Sequence, residues 1–207
     1  MGKITDALKK VAQERLERID KLGHKEEVKY TFIARKTVES KIDPRIVAFY
    51  DSKSAVAEQY RTLRTNIQSL ESKQPIKTIA IASSMHKEGK TITAINLAIS
   101  MALDLNKKKV LLVDGALRRA TMSKYLGIEA KSGLADLVSN GADIEDALLD
   151  IGIENLTVLP VGKIPHNPAE LLNSAKMRNI LSALRSKFDY VIIDTPPIIS
   201  VTDAAII

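Results

Sequence analysis

Apolar residues recur along this chain in two rhythms, short continuous runs and longer stretches at helical spacing, and their alternation predicts an α/β fold. Thr78-Ile79-Ala80-Ile81-Ala82, Lys109 to Asp114, Leu156-Thr157-Val158-Leu159-Pro160 and Phe188 to Asp194 read as buried strands. Helical patterns lie between them. Ile92, Ile95, Leu97, Ala98, Ile99, Met101 and Ala102 follow the first run, and Leu117 to Leu126, closed by Gly127, follows the second. Short helices are expected near 133–139 and 143–150, and longer ones over roughly 168–187, with Asn167 of the loop Pro165-His166-Asn167-Pro168 as an N-cap. Strands separated by helices imply a mostly parallel sheet covered on both faces, a three-layer sandwich that delivers ligands to the carboxyl ends of its strands.

The N-terminal part is patterned differently. Ile4, Leu8, Val11, Leu16 and Ile19 at helical spacing predict an amphipathic helix over 1–22, its other faces charged and Gly23 ending it. Such a helix suits docking on the domain, a partner or a membrane surface, though its mixed charge signs weaken the last reading. Residues 23–44 are charged and aperiodic, which suits a linker closing at Asp43-Pro44. The main domain is expected over 45–207, opening with a strand-like Arg45-Ile46-Val47-Ala48-Phe49-Tyr50. From Ser54 the pattern turns helical, and Glu58, Arg61 and Arg64 recur every third residue on one face.

Composition narrows the function. The 207 residues, 45% hydrophobic and 27% charged, suit one globular α/β domain with an appendage. No apolar run approaches the roughly 20 residues that span a bilayer, and the charged N-terminus is unlike a signal peptide, so a cytoplasmic protein is expected. Absence of cysteine excludes disulfides and thiolate metal sites. His24, His86 and His166 are too scattered for a local zinc motif. A net charge of +6 would suit nucleic acid or anionic lipid, but only 4% of residues are aromatic and no nucleic-acid motif is present, so nucleic acid is not expected as a partner.

Ser84-Met85-His86-Lys87-Glu88-Gly89-Lys90-Thr91 lies between an apolar run and a helical pattern, where a phosphate loop belongs. Such a loop wraps an anion in backbone N–H groups at a helix N-terminus, so a permissive residue is needed where the chain turns, and Gly89 supplies it. Lys90 is placed to reach the terminal phosphates and the Thr91 hydroxyl to hold Mg²⁺; Ser84 replaces the usual first glycine. Asp114 and Asp194 each end an apolar strand at the sheet edge that carries Lys90. Two such acids call for a cation, and Mg²⁺, a hard ion that prefers oxygen, is the economical choice.

These residues resemble the bacterial tyrosine kinases, the BY-kinase family of autokinases that regulate capsule and exopolysaccharide synthesis. The resemblance spans about 45–207. It rests on Ala55 to Ile67, Glu88-Gly89-Lys90-Thr91, Val110 to Arg118, Asn167-Pro168-Ala169-Glu170-Leu171-Leu172 and Phe188 to Pro197. It implies a P-loop NTPase fold, ATP as donor, Mg²⁺ as cofactor and protein tyrosine as acceptor. Met85 to Ile92 would bind nucleotide, with Lys90 and Thr91 as Walker A residues, Asp194 as the Walker B acid, and Asp114 and Arg118 in the Walker A′ element. There Asp114 helps activate the tyrosine hydroxyl or orders the metal shell. The resemblance also implies a ring-like homo-oligomer assembled through Glu58, Arg61 and Arg64, and a separate membrane activator of the chain-length determinant type, which could recruit the kinase to the membrane's inner face.

The departures are informative. Walker A′ usually reads Asp-x-Asp-x-Arg, but Asp114-Gly115-Ala116-Leu117-Arg118 lacks the second acid, and His86 and His166 replace residues that are often proline. Asp203-Ala204-Ala205-Ile206-Ile207 begins what should be a further helix, so truncation of the family's C-terminal part, with its tyrosine cluster, is expected. Tyr30, Tyr50, Tyr60, Tyr125 and Tyr190 remain, Tyr50 and Tyr190 as buried strand residues. Two alternatives stand beside the kinase: a partition or septum-positioning ATPase, disfavoured by Met85 where that class carries a lysine, and a catalytically weak nucleotide-binding adaptor.

Overall fold

The computed structural model describes residues 35–36, 42–71 and 75–199. The expected helix over 1–22, most of the 23–44 segment, Tyr30 and the helix from Asp203 lie outside them. Strands β1 (Arg35–Lys36), β2 (Thr78–Ile81), β3 (Val110–Asp114), β4 (Leu149–Asp150), β5 (Leu156–Leu159) and β6 (Tyr190–Asp194) form one sheet in the spatial order β1-β4-β5-β3-β6-β2. All pairings are parallel except β4 with β5. The helices are α1 (Val47–Tyr50), α2 (Ala55–Glu71), α3 (Lys90–Ala102), α4 (Thr121–Leu126), α5 (Leu134–Asn140), α6 (Ile144–Ala147), α7 (Pro168–Leu172) and α8 (Ala175–Lys187).

The expected three-layer sandwich follows from strand periodicity. On β3, Val110 and Leu112 face a core built with α3, while Leu111 and Val113 face a second core built with α5 and α8. On β6, Ile192 joins the first core and Val191 and Ile193 the second. A strand buried on both faces must be apolar throughout, which is why β3 and β6 stand out in the sequence. Helix α3 is buried all round from Ala94 to Ala102 because α1 and α2 cover the side turned away from the sheet.

The pattern misleads at several junctions. Arg45 to Tyr50, expected as a strand, holds helix α1. Asn96, fully buried on α3, accepts from the Ala48 N–H at 2.8 Å and donates to the carbonyls of Ile92 at 2.9 Å and Arg45 at 3.3 Å. A distant side chain thus satisfies backbone groups that a strand would have paired in a ladder. Tyr50 is accordingly 55% exposed rather than buried, whereas Tyr190 is buried as expected. Before α1, Asp43 donates its N–H to the Tyr125 carbonyl at 2.8 Å, and Arg35–Lys36 pairs with β4.

The helix expected over 143–150 stops at Ala147, and Leu149–Asp150 becomes a strand, since buried Leu148 and Leu149 fit either period. The helix expected from Leu117 begins only at Thr121. Residues 117–119 form a turn and Ala120 takes a left-handed conformation, φ 47°. Asn167 stands at the N-cap of α7, but its side chain bonds Glu170 Oε2 at 2.7 Å instead of capping. Among the described residues no helix is long and apolar enough to cross a membrane.

Candidate nucleotide and metal site

Strand β2 runs into the phosphate loop, and Gly89 turns it into α3 with φ 91°. No atom lies within 4 Å of where a Cβ would stand, so glycine is required by backbone conformation and not by space. Glu88 braces the loop by accepting from the Met85 N–H at 2.9 Å and the Ser84 hydroxyl at 3.2 Å. The Met85 N–H, followed by the Ser83 hydroxyl, holds its carboxyl below the usual range. Lys90 Nζ donates to Ser83 Oγ at 2.6 Å and to the Met85 carbonyl at 2.8 Å. Its ammonium therefore lies within the arch of the loop, above the helix N-terminus whose first N–H groups lack intrahelical acceptors.

Two acids converge below. Parallel pairing puts Asp114 and Asp194 opposite one another at the ends of β3 and β6. Thr91 Oγ1 donates to Asp194 Oδ2 at 2.6 Å, tying the phosphate loop helix to the sheet. The Ala116 N–H donates to Asp114 Oδ1 at 3.1 Å. Asp114 Oδ2 and Asp194 Oδ1 are buried without a hydrogen-bond partner. Burial pushes Asp114 up to about 7, helped by the charge of Asp194, against backbone N–H bonds from Ala116 and Met122. Burial likewise lifts Asp194 to about 6, although the Thr91 hydroxyl and Lys90 oppose it.

Two buried carboxylates with an orphaned oxygen each fit a hard dication, which would neutralise both and use the free lone pairs. Thr91, bonded to Asp194, adds a hydroxyl oxygen. Among the described residues no group of three or more metal-ligating His, Cys, Asp or Glu side chains forms, consistent with Ala116 standing where a third acid would fall.

Beside this site lies a cavity of about 270 Å³. His86, Lys87, Gly89, Lys90, Thr91 and Ile92 line it from the loop side, Arg118 and Asp194 from the sheet edge. Met85 and Glu88 do not line it; Met85 is 62% exposed. Sequence reading missed Arg119, Thr121, Tyr125 and Thr195 in its wall, and Ser83 as the partner of Lys90. Ser83 had a signal in its place immediately before the loop, but Thr121 and Tyr125 look like ordinary positions of a short helix.

Glu58, Arg61 and Arg64 are not brought to the site. Arg61 binds Glu58 and the Ser52 carbonyl near the surface. Arg64 turns inward, donating to the Ser100 carbonyl at 2.7 Å and pairing with Asp104 at 3.6 Å.

A phosphate loop on a parallel sheet, its lysine and threonine set against acids on two neighbouring strands, defines a P-loop nucleotide-binding protein. The AAA domain family matches residues 76–207. The chain is 39% identical over 173 residues to tyrosine-protein kinase YwqD of Bacillus subtilis (strain 168), covering 84% of this chain and 72% of that protein. It superposes on the chimerical protein CapA2B2 with a TM-score of 0.74 at 34% identity, covering 80% and 73% of the two chains. It is also similar to the septum site-determining protein MinD complexed with Mg-ADP from Pyrococcus horikoshii OT3, with a TM-score of 0.52, 30% identity and coverage of 63% and 52%. The chain belongs to the bacterial tyrosine-protein kinases.

Proposed function

We propose that this chain is an ATP-dependent protein-tyrosine autokinase that regulates capsule or exopolysaccharide synthesis, acting from the cytoplasm with a membrane activator on a separate chain. The observation that carries the reading is the Thr91–Asp194 hydrogen bond beside Asp114, which gathers Walker A, A′ and B side chains into one oxygen-lined site. Kinship with proteins named as tyrosine kinases supports tyrosine as the acceptor.

Lys90 and the first turn of α3 would bind the β and γ phosphates, and Thr91, Asp114 and Asp194 would hold Mg²⁺, which supplies charge neutralisation on those phosphates. Arg118, in the cavity wall, is placed to meet charge on the transferring group. In the transfer, the tyrosine oxygen would form a bond to the γ phosphorus and release its proton to solvent, while the bond to the β–γ bridging oxygen breaks and ADP leaves with that electron pair. The chain's contribution is positioning and electrostatics. Tyr190 is a poor acceptor, because burial, with Glu71 adding to it, raises its hydroxyl to about 12. Tyr50 is exposed, but its hydroxyl donates to the Ile42 carbonyl and would have to leave that bond to accept phosphate. Glu58 and Arg61 would contribute to contacts between subunits of a ring.

The test incubates the chain and its Lys90→Met variant with Mg²⁺ and γ-labelled ATP, then identifies labelled amino acids after hydrolysis. Label on tyrosine that requires Lys90 is expected. Lys90-dependent phosphate release without labelled tyrosine would favour a switch ATPase, and neither signal a nucleotide-binding adaptor.

A further inference from the structure

The cation site proposed above is short of protein oxygen. Asp114 and Asp194 bring carboxylates and Thr91 a hydroxyl, but residue 116, whose N–H bonds Asp114, carries only a methyl group. Mg²⁺ takes six oxygens in near-octahedral geometry and keeps several waters, so groups that hold those waters matter as much as direct ligands.

One more side-chain oxygen reaches this place. Thr121 Oγ1 lies 3.5 Å from Thr91 Oγ1, the hydroxyl bound to Asp194. Thr121, Thr91 and Ala116 line the same cavity. The backbone N–H of the next residue, Met122, acts against the burial that raises the Asp114 carboxyl, so the first turn of α4 faces the acid pair. The left-handed Ala120 turns the chain into that position. Asp194, whose Oδ1 is buried without a partner, lines that cavity with Thr121, while Asp114, whose Oδ2 is likewise unpartnered, lies behind it on the neighbouring strand.

We propose that Thr121 is a positioning residue of the cation shell, its hydroxyl holding a metal-bound water on the side that Ala116 leaves without an acid. This deepens the acid-pair reading and rests on it. A hydroxyl at residue 121 and a carboxylate at residue 116 then do overlapping work, each reducing the need for the other.

Mn²⁺ in place of Mg²⁺ makes this measurable without turnover, by titrating the full chain in the presence of ADP and reading free Mn²⁺ by electron paramagnetic resonance. Thr121→Val, which keeps the shape and removes the hydroxyl, should weaken Mn²⁺ binding about 10-fold, and Thr121→Ser should stay within about 2-fold of the parent. In an Ala116→Asp background, Thr121→Val should cost less than about 3-fold. Unchanged affinity in Thr121→Val, an equal loss in Thr121→Ser, or the same penalty with Asp at 116 would each overturn the proposal. Asp194→Asn is the control for the underlying reading. If it too binds Mn²⁺ like the parent, the acid pair is not the cation site; if it fails to bind while Thr121→Val is unaffected, only the role of Thr121 is lost.

Discussion

The acid pair and the charged face of α2 began as similar sequence features, ionisable residues in a suggestive arrangement, and folding treated them in opposite ways. Asp114 and Asp194 lie far apart in the chain, yet neighbouring strands bring them to the same register, buried and incompletely satisfied. Glu58, Arg61 and Arg64 are close in sequence, yet the fold divides them. Arg61 is satisfied locally with Glu58, while Arg64, 16% exposed, anchors α2 to the end of α3 through Ser100 and Asp104. Burial pushes Asp104 up, but hydrogen bonds from Gln68 and Asn106 and the charge of Arg64 outweigh it and keep the carboxyl below its ordinary range. Arg64 Nε is also buried without a hydrogen-bond partner, but its guanidinium charge is met by Asp104, whereas among the described residues the orphaned oxygens of Asp114 and Asp194 face no cation other than Lys90. Buried charge without a counter-charge implies a missing ligand, and paired charge implies architecture first.

The largest expected effect tests the first half of that contrast. Asp194→Asn should lower labelled phosphotyrosine on the order of 100-fold, because it removes the carboxylate that positions both Thr91 and the cation. Retained labelling would show that the pair is structural.

Next comes pH. In the metal-free fold Asp114 and Asp194 hold protons up to about 7 and about 6, well above the value near 4 of an unfolded aspartate. The native state therefore binds more protons than the unfolded one across that window, and stability falls as pH rises from about 4 to about 7 before levelling. Measured by urea unfolding in chelator, the parent should lose on the order of 3 kcal/mol relative to Asp114→Asn over this range. A constant difference between the two would break the claim that the pair is buried as a unit, and added Mg²⁺ should flatten the slope.

The second half of the contrast is sharpened by alanine variants of the two arginines, with Gly89→Ala as a backbone-only comparison. Arg64→Ala should cost about 2 kcal/mol in urea unfolding, since it leaves Asp104 and the Ser100 carbonyl without their partner. Gly89→Ala should cost about 1 kcal/mol, from backbone conformation alone. Arg61→Ala should stay within about 0.5 kcal/mol, as expected of an exposed pair. If Arg61 serves a subunit contact, its replacement lowers the mass seen by light scattering with little change in stability. Equal destabilisation by the two arginine variants would erase the distinction drawn here.

Much of this was legible in the sequence where the signals are local. A strand buried on both faces must be continuously apolar, so β3 and β6 could be read directly, and the glycine, lysine and threonine of the loop mark their own backbone geometry. Local signals failed where two periods fit the same residues, as at Leu148 and Leu149, or where a partner lay far along the chain. Helix α1 depends on Asn96, a polar residue in an apolar helix whose role shows only when Ala48 and Arg45 are placed against it.

The sequence by itself determined the class of the protein and the residues that make its phosphate loop, because those properties rest on local conformation and on burial encoded in runs of side chains. Tertiary structure alone decided that Asp114 meets Asp194, that Arg64 turns in to the end of α3, and that Thr121 lies beside Thr91. Those outcomes depend on strand register and on the competition among distant groups for a limited set of buried hydrogen-bond partners, which no local pattern contains.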